Sequence, residues 1–269
     1  MIKCLKTDLY RALVNIKFVI VVICISIVGY LQTDVTGVLD MLALKNGGSI
    51  FDSLYIALVF SQFGILVFIF LAAVFSDCLC DDLNYKNYLY SVIRSGKNEY
   101  IVSKIITVII STVLAFFLGM CLYAITSSLF FGFEWNKSNN QNVVLEDLST
   151  SNLFKGLVEG KKYVTIFVIM ILFQSLLYCI TSLFSMLVSL YIKNKLLVLC
   201  VPGILITVGN YIVSEIIPNY SGYIFVYMLN HLQQSNWIDF VLQRIVPTFG
   251  IITVLAILIV IKFRRDIVD

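Results

Sequence analysis

Charge is scarce in this sequence. Asp, Glu, Lys and Arg make up 13% of 269 residues, about half the roughly 25% of a soluble domain. Hydrophobic types reach 60%. So few charges on so apolar a chain exclude a soluble enzyme, a nucleic-acid-binding domain and a disordered protein. Proline occurs 3 times and glycine 14 times, which leaves no room for a low-complexity linker. Cysteine occurs 7 times, an odd number that cannot pair completely. Cys24, Cys121, Cys179 and Cys200 fall inside apolar runs, where a thiol acts as a small hydrophobe. Cys4, Cys78 and Cys80 fall in segments predicted to be cytoplasmic, so no disulfide framework is implied.

Catalytic groups are equally sparse. The one histidine is His231, with no nucleophile or metal partner evident in the sequence. There is no H-E-x-x-H, and no G-x-x-x-x-G-K-[ST] loop, since Ser91 stands where the first glycine before Gly96-Lys97 would be. The apolar runs hold no acid for an intramembrane aspartyl protease. Cys78-x-Cys80 lacks a second pair or a nearby histidine and reads as two ordinary thiols. The chain is therefore expected not to be an enzyme.

What the sequence does have is long stretches free of Asp, Glu, Lys and Arg. They cover 18–33, 53–76, 105–133, 163–192, 196–214 and 245–261. A spanning helix needs about 20 apolar residues, range roughly 17–25. Six transmembrane helices are predicted, at about 18–33, 53–76, 105–131, 163–192, 196–214 and 245–263. The fold class is all-α integral membrane, one domain over 1–269. The patterned basic region before the first run and the lack of an A-x-A-like site argue against a removable signal peptide.

Orientation follows from the positive-inside rule. One side carries Lys3, Lys6, Arg11, Lys17, Lys86, Arg94, Lys97, Lys104, Lys193, Lys195, Lys262, Arg264 and Arg265. The other carries only Lys45, Lys137, Lys155, Lys161, Lys162 and Arg244. Thirteen cations against six predict a plasma-membrane protein with both termini cytoplasmic. No charge lies inside a run. A central charge usually marks an ion or proton path, so an ion-coupled carrier is disfavoured.

Residues 1–17 pattern as an amphipathic helix. Ile2, Leu5, Leu9, Ala12, Leu13 and Ile16 fall on one arc, with Lys3, Lys6, Asp8, Arg11 and Lys17 outside it. Such a helix lies in the membrane interface, against lipid. The cytoplasmic stretch 77–104 holds Asp77, Asp81, Asp82, then Tyr85, Tyr88, Tyr90 and Arg94, then Gly96 as a helix stop. A helix of about 12 residues is predicted there. Its composition fits either a solvated loop or a docking surface for a soluble partner, where Tyr and Arg are favoured. Outside, 134–162 reads as a polar loop. By contrast, 216–244 is aromatic and half-apolar, which suits interfacial or re-entrant helices. The fourth run carries Gln174, Tyr178, Ser182 and Ser185 about one turn apart, and the second adds Ser61 and Gln62. Such a stripe favours helix packing and is also compatible with the lining of a substrate path.

The layout resembles the six-helix permease subunits of type-2 ABC exporters. Three places carry the likeness: the amphipathic start at 1–17; the loop with Asp77, Asp81, Asp82 and Arg94 followed by Ser103-Lys104; and the ending Phe263-Arg264-Arg265-Asp266-Ile267. The Gly-Thr and Pro often seen in that loop are missing. The resemblance implies a cytoplasmic ABC ATPase, in two copies, docked under the loop through Asp77, Asp81, Asp82, Tyr85, Tyr88 and Arg94. ATP and Mg would be held by that partner, with no cofactor on this chain. A second permease, the same chain or a relative, would complete a path lined by Gln62, Gln174, Tyr178, Ser182 and Ser185. Tyr223, Phe225 and Tyr227 would form an outer re-entrant gate between helices 5 and 6. The implied function is outward movement of an amphipathic peptide, lantibiotic or drug. The rival is a stand-alone membrane immunity or scaffold protein with no ATPase.

Overall fold

The computed structural model describes residues 2–35, 54, 57, 64–85, 88–131, 155–216, 242 and 245–268. Among them there are helices and no strands. In chain order they are α1 (Ile2–Leu13), α2 (Ile16–Val35), α3 (Gly64–Phe75), α4 (Cys78–Asn84) and α5 (Tyr88–Ser95). Then come α6 (Lys97–Phe131), α7 (Lys155–Glu159), α8 (Tyr163–Val188), α9 (Lys195–Ile216) and α10 (Val246–Val268).

Among the described residues, three helices are long and apolar enough to cross a membrane: Lys97–Leu129, Tyr163–Val188 and Val246–Arg265. The count rises to five if each of two bent pairs is one span. These are Lys3–Leu13 with Ile16–Leu31, bent by 55°, and Gly64–Phe75 with Cys78–Asn84, bent by 47°. The stretch Lys195–Gly209 of α9 is apolar but shorter.

Local chemistry sets the joints. Asn15 caps α2, its Oδ1 accepting the backbone N–H of Lys17 at 3.0 Å. Asn194 caps α9 in the same way, through Leu196 N–H at 3.0 Å. A side-chain acceptor satisfies one of the four free N–H groups at a helix start. Gly96 stops α5 with φ +83°, a conformation that costs glycine little, and α6 begins at the next residue. The expected single helix after the second run is thus two helices, α4 and α5, on either side of residues 86–87.

α6 and α8 form the centre of the fold. α6 packs against α1, α2, α3, α5, α8 and α10, and α8 against α3, α6, α7, α9 and α10. α2 and α6 approach closely at Gly119, where an added Cβ would lie 2.7 Å from Ile25. Small residues permit such approach in membranes. The outward faces stay apolar: Ile20, Ile23 and Ile27 on α2, Ile204 and Leu205 on α9, Ile257 and Ile261 on α10 are exposed. In water that surface would be an aggregation liability; against lipid tails it has no such cost. Several long apolar helices with exposed apolar faces fit a membrane-embedded protein.

Candidate functional site

α1 is amphipathic as expected, but its buried line includes an acid. Ala12 and Asp8 are both buried, while Lys3, Lys6 and Arg11 stay exposed. A helical wheel separates apolar from polar positions and does not reveal a polar residue that meets a partner inside. The partner of Asp8 is on α6. Lys104, 1% exposed, places its Nζ 3.0 Å from Asp8 Oδ1 and 3.0 Å from Asp82 Oδ2 on α4. Ser103 donates its hydroxyl to Asp8 Oδ2 at 2.7 Å, and Tyr100 donates its hydroxyl to Asp82 Oδ2. The ammonium also lies 5.1 Å from the Phe75 ring and 5.4 Å from the Tyr100 ring. Tyr100 stacks on Phe263 of α10, ring centroids 5.6 Å apart. A buried charge needs a partner: the lysine is ion-paired with both acids, and each acid also accepts a hydroxyl hydrogen bond.

The other loop acids are also taken up within the chain. Asp77 accepts from Lys17 Nζ, at the start of α2, at 3.1 Å. Asp81 pairs with Lys195, the first residue of α9. Cys80 Sγ and Asn84 Nδ2 donate to the Lys193 carbonyl at 3.0 and 3.2 Å. Arg11, half exposed, stands 3.9 Å from Asp82. α4 is thus tied to α1, α2, α6 and the turn before α9.

Asp77, Asp81 and Asp82 therefore face their own chain. Tyr85 is exposed, as are Leu89, Tyr90, Ile93 and Arg94 on α5, whereas Tyr88 and Val92 rest against the core. Beside α5, Gly96, Lys97, Asn98, Glu99 and Arg264 line a cavity of about 490 Å³. Arg264 Nε donates to Asn98 Oδ1 at 2.9 Å, joining the end of α10 to the start of α6.

The polar stripe on α8 is shut in by packing. Gln174, Tyr178, Ser182 and Ser185 are all buried. The Tyr178 ring sits 5.4 Å from Phe68 on α3 and 4.7 Å from Phe116 on α6. Gln174 donates to the Tyr178 hydroxyl at 3.3 Å. Among the described residues, Gln174 Oε1 and Ser182 Oγ have no hydrogen-bond partner. Gln62 and the proposed gate residues Tyr223, Phe225 and Tyr227 lie outside the described residues.

Ser185 has a specific task. Pro202 lies inside α9, lacks an N–H, and so leaves the carbonyl four residues earlier without its helical donor. That carbonyl belongs to Val198, and Ser185 Oγ donates to it at 2.6 Å. Neighbouring hydroxyls commonly satisfy such freed groups in membrane helices. Ser185→Ala is expected to cost about 1–3 kcal/mol, the penalty for orphaning a buried acceptor. In a Pro202→Ala background the restored N–H should make the serine dispensable, and the same change should cost little. Thermal unfolding of the four proteins reads the difference, and equal losses in both backgrounds would reject this role.

Sequence reasoning singled out Asp82 and noted Ser103-Lys104, yet it missed their junction with Asp8. One signal was available: Asp8 is the only acid before the first apolar run. Set against known proteins, the chain matches no family model, no curated protein and no solved structure.

Proposed function

We propose that this chain is the permease subunit of a bacterial ABC exporter in the plasma membrane, with both termini cytoplasmic. The reading takes the spans as α2, residues 53–76, α6, α8, α9 and α10. The observation that carries it is the face of α5. Leu89, Tyr90, Ile93 and Arg94 are exposed on a helix whose opposite side is anchored, and it lies on the side richest in cations. Exposed aromatic, aliphatic and Arg side chains on a fixed helix are what a protein partner buries. Lys97 and Arg264 stand at the neighbouring cavity together with Glu99.

In this reading a separate ATPase, present twice and carrying ATP and Mg, docks on α5 and Tyr85. This chain makes and breaks no covalent bond. A second permease, identical or related, faces it across the path. The substrate is an amphipathic or hydrophobic peptide, lantibiotic or drug, because the apolar runs contribute no fixed charge. Gln174, Tyr178 and Ser182 become path-lining only when α3 or α6 moves off α8. Gln62 would add to that path, and Tyr223, Phe225 and Tyr227 would gate its outer end.

A second reading, a stand-alone immunity or scaffold protein, is favoured by one observation. The three loop acids, Asp77, Asp81 and Asp82, are already consumed by intrachain cations. Pull-down of the tagged chain from its native membrane in mild detergent separates the two. The permease reading expects a P-loop ATPase in about equal amount to the tagged chain, with two subunits of each in the complex, and expects Arg94→Glu to remove it. Recovery of the chain alone in every detergent would leave the stand-alone reading.

A further inference from the structure

The polar contacts of α4 fall into two classes, and the difference has a mechanical meaning. The contact of Lys104 with Asp8 and Asp82 is buried: the side chains are 1%, 9% and 5% exposed. The pair Lys195–Asp81 is open on both sides, 44% and 29% exposed, and Lys17–Asp77 is open on the lysine side only, 49% and 9% exposed. A pair open on both sides, as Lys195–Asp81 is, can exchange its partner for water at little cost. Lys104 has no such exchange available, because the departure of either acid would leave a buried charge short of its partner.

We infer that Lys104 locks α1, α4 and the base of α6 into one moving body, so that a displacement of the loop helices carries the N-terminal helix with it. The geometry supports this in two ways. One ammonium serves both carboxylates, so α1 and α4 are joined through a single atom. Secondary bonds brace each acid separately from α6, Ser103 on Asp8 and Tyr100 on Asp82. The joints around this body are softer. α1 meets α2 at a 55° break, α3 meets α4 at a 47° break, and α5 meets α6 at Gly96 with φ +83°. Motion is therefore expected at these joints and not within the lysine cage. α1 then acts as a lever attached to the loop, rather than as a helix held only by its apolar face.

As an account of how ATPase movement would reach the spans, this rests on the permease reading. The experiment does not, because it uses this chain alone, full length, in lipid nanodiscs. Hydrogen–deuterium exchange is followed in peptides covering α1 and α4, with α8 as the fold control. Lys104→Met is expected to speed exchange in α1 and α4 together, by about tenfold or more if the cage supplies their local protection. Asp8→Asn is expected to loosen α1 and leave α4 near wild type, because Lys104 keeps Asp82. Lys195→Met should leave α1 unchanged. If Lys104→Met also loosens α8, the contrast between Asp8→Asn and Lys195→Met decides. An α1 that exchanges at the wild-type rate in Asp8→Asn, or that loosens as much in Lys195→Met, would overturn the inference. A missing ATPase in the pull-down would reject only the permease reading.

Discussion

Lys104→Met is expected to cost about 3–5 kcal/mol of stability, the penalty typical of deleting one partner from a buried ion pair. The mechanism is desolvation more than lost attraction. Without the ammonium, Asp8 and Asp82 remain buried beside one another, with Arg11 still 3.9 Å from Asp82. Lys195→Met removes a pair open on both sides, 44% and 29% exposed, and should cost no more than about 1 kcal/mol. Lys17→Met leaves Asp77, 9% exposed, without its lysine and should fall between Lys195→Met and Lys104→Met. A triple change, Lys104→Met with Asp8→Leu and Asp82→Leu, should recover part of the loss at most, although apolar replacements of a whole buried ion cluster are often neutral or better. Recovery will be incomplete because the Ser103 and Tyr100 hydroxyls lose their acceptors, at about 1–3 kcal/mol each. Denaturant unfolding in lipid nanodiscs measures the series. A Lys104→Met loss no larger than that of Lys195→Met would mean that the cage adds nothing beyond an ordinary surface pair.

The same residues mark where sequence reading succeeds and where it stops. Charge-free runs located α2, α8, α9 and α10 to within a few residues at most ends, because the bilayer demands apolar length and little else. They misplaced the start of α6, which begins at Lys97 and not at residue 105. The helix continues through Lys97, Glu99 and Lys104, and a criterion based on lack of charge ends at the first charge it meets. Lys104 is tolerated there because Asp8, 96 residues earlier, neutralises it with Asp82. No local period encodes a contact of that separation. The loop acids were legible as a cluster, but their direction was not: an Asp that docks a partner and an Asp that meets its own lysine look alike in a linear pattern. Ser185 shows the same gap. Its place on the stripe was readable, whereas its bond to the Val198 carbonyl depends on how α8 and α9 align around Pro202.

α5 offers the second large effect, because its two faces should respond oppositely to one kind of change. Val92 rests against the core and Ile93, the next residue, is 81% exposed. Val92→Asp would set a carboxylate against the apolar core at a partly buried position and should lower the unfolding midpoint. Ile93→Asp leaves the chain's own packing intact, so its stability should stay within about 0.5 kcal/mol of wild type, as for most surface changes. If the exposed face is where an ATPase docks, Ile93→Asp should still reduce ATPase recovery at least tenfold, since truncating or charging a central anchor costs about 2 kcal/mol or more. The pairing of the two variants is what gives the experiment its force. Loss of ATPase in Val92→Asp alone would follow from misfolding and says nothing of docking. Loss in Ile93→Asp, in a protein as stable as wild type, can arise only at the surface. An Ile93→Asp protein that keeps its full ATPase complement would instead remove α5 as the docking face. The exposed row of Leu89, Tyr90 and Ile93 would then be a surface for the membrane interface, where an amphipathic helix lays aromatic and aliphatic side chains against lipid.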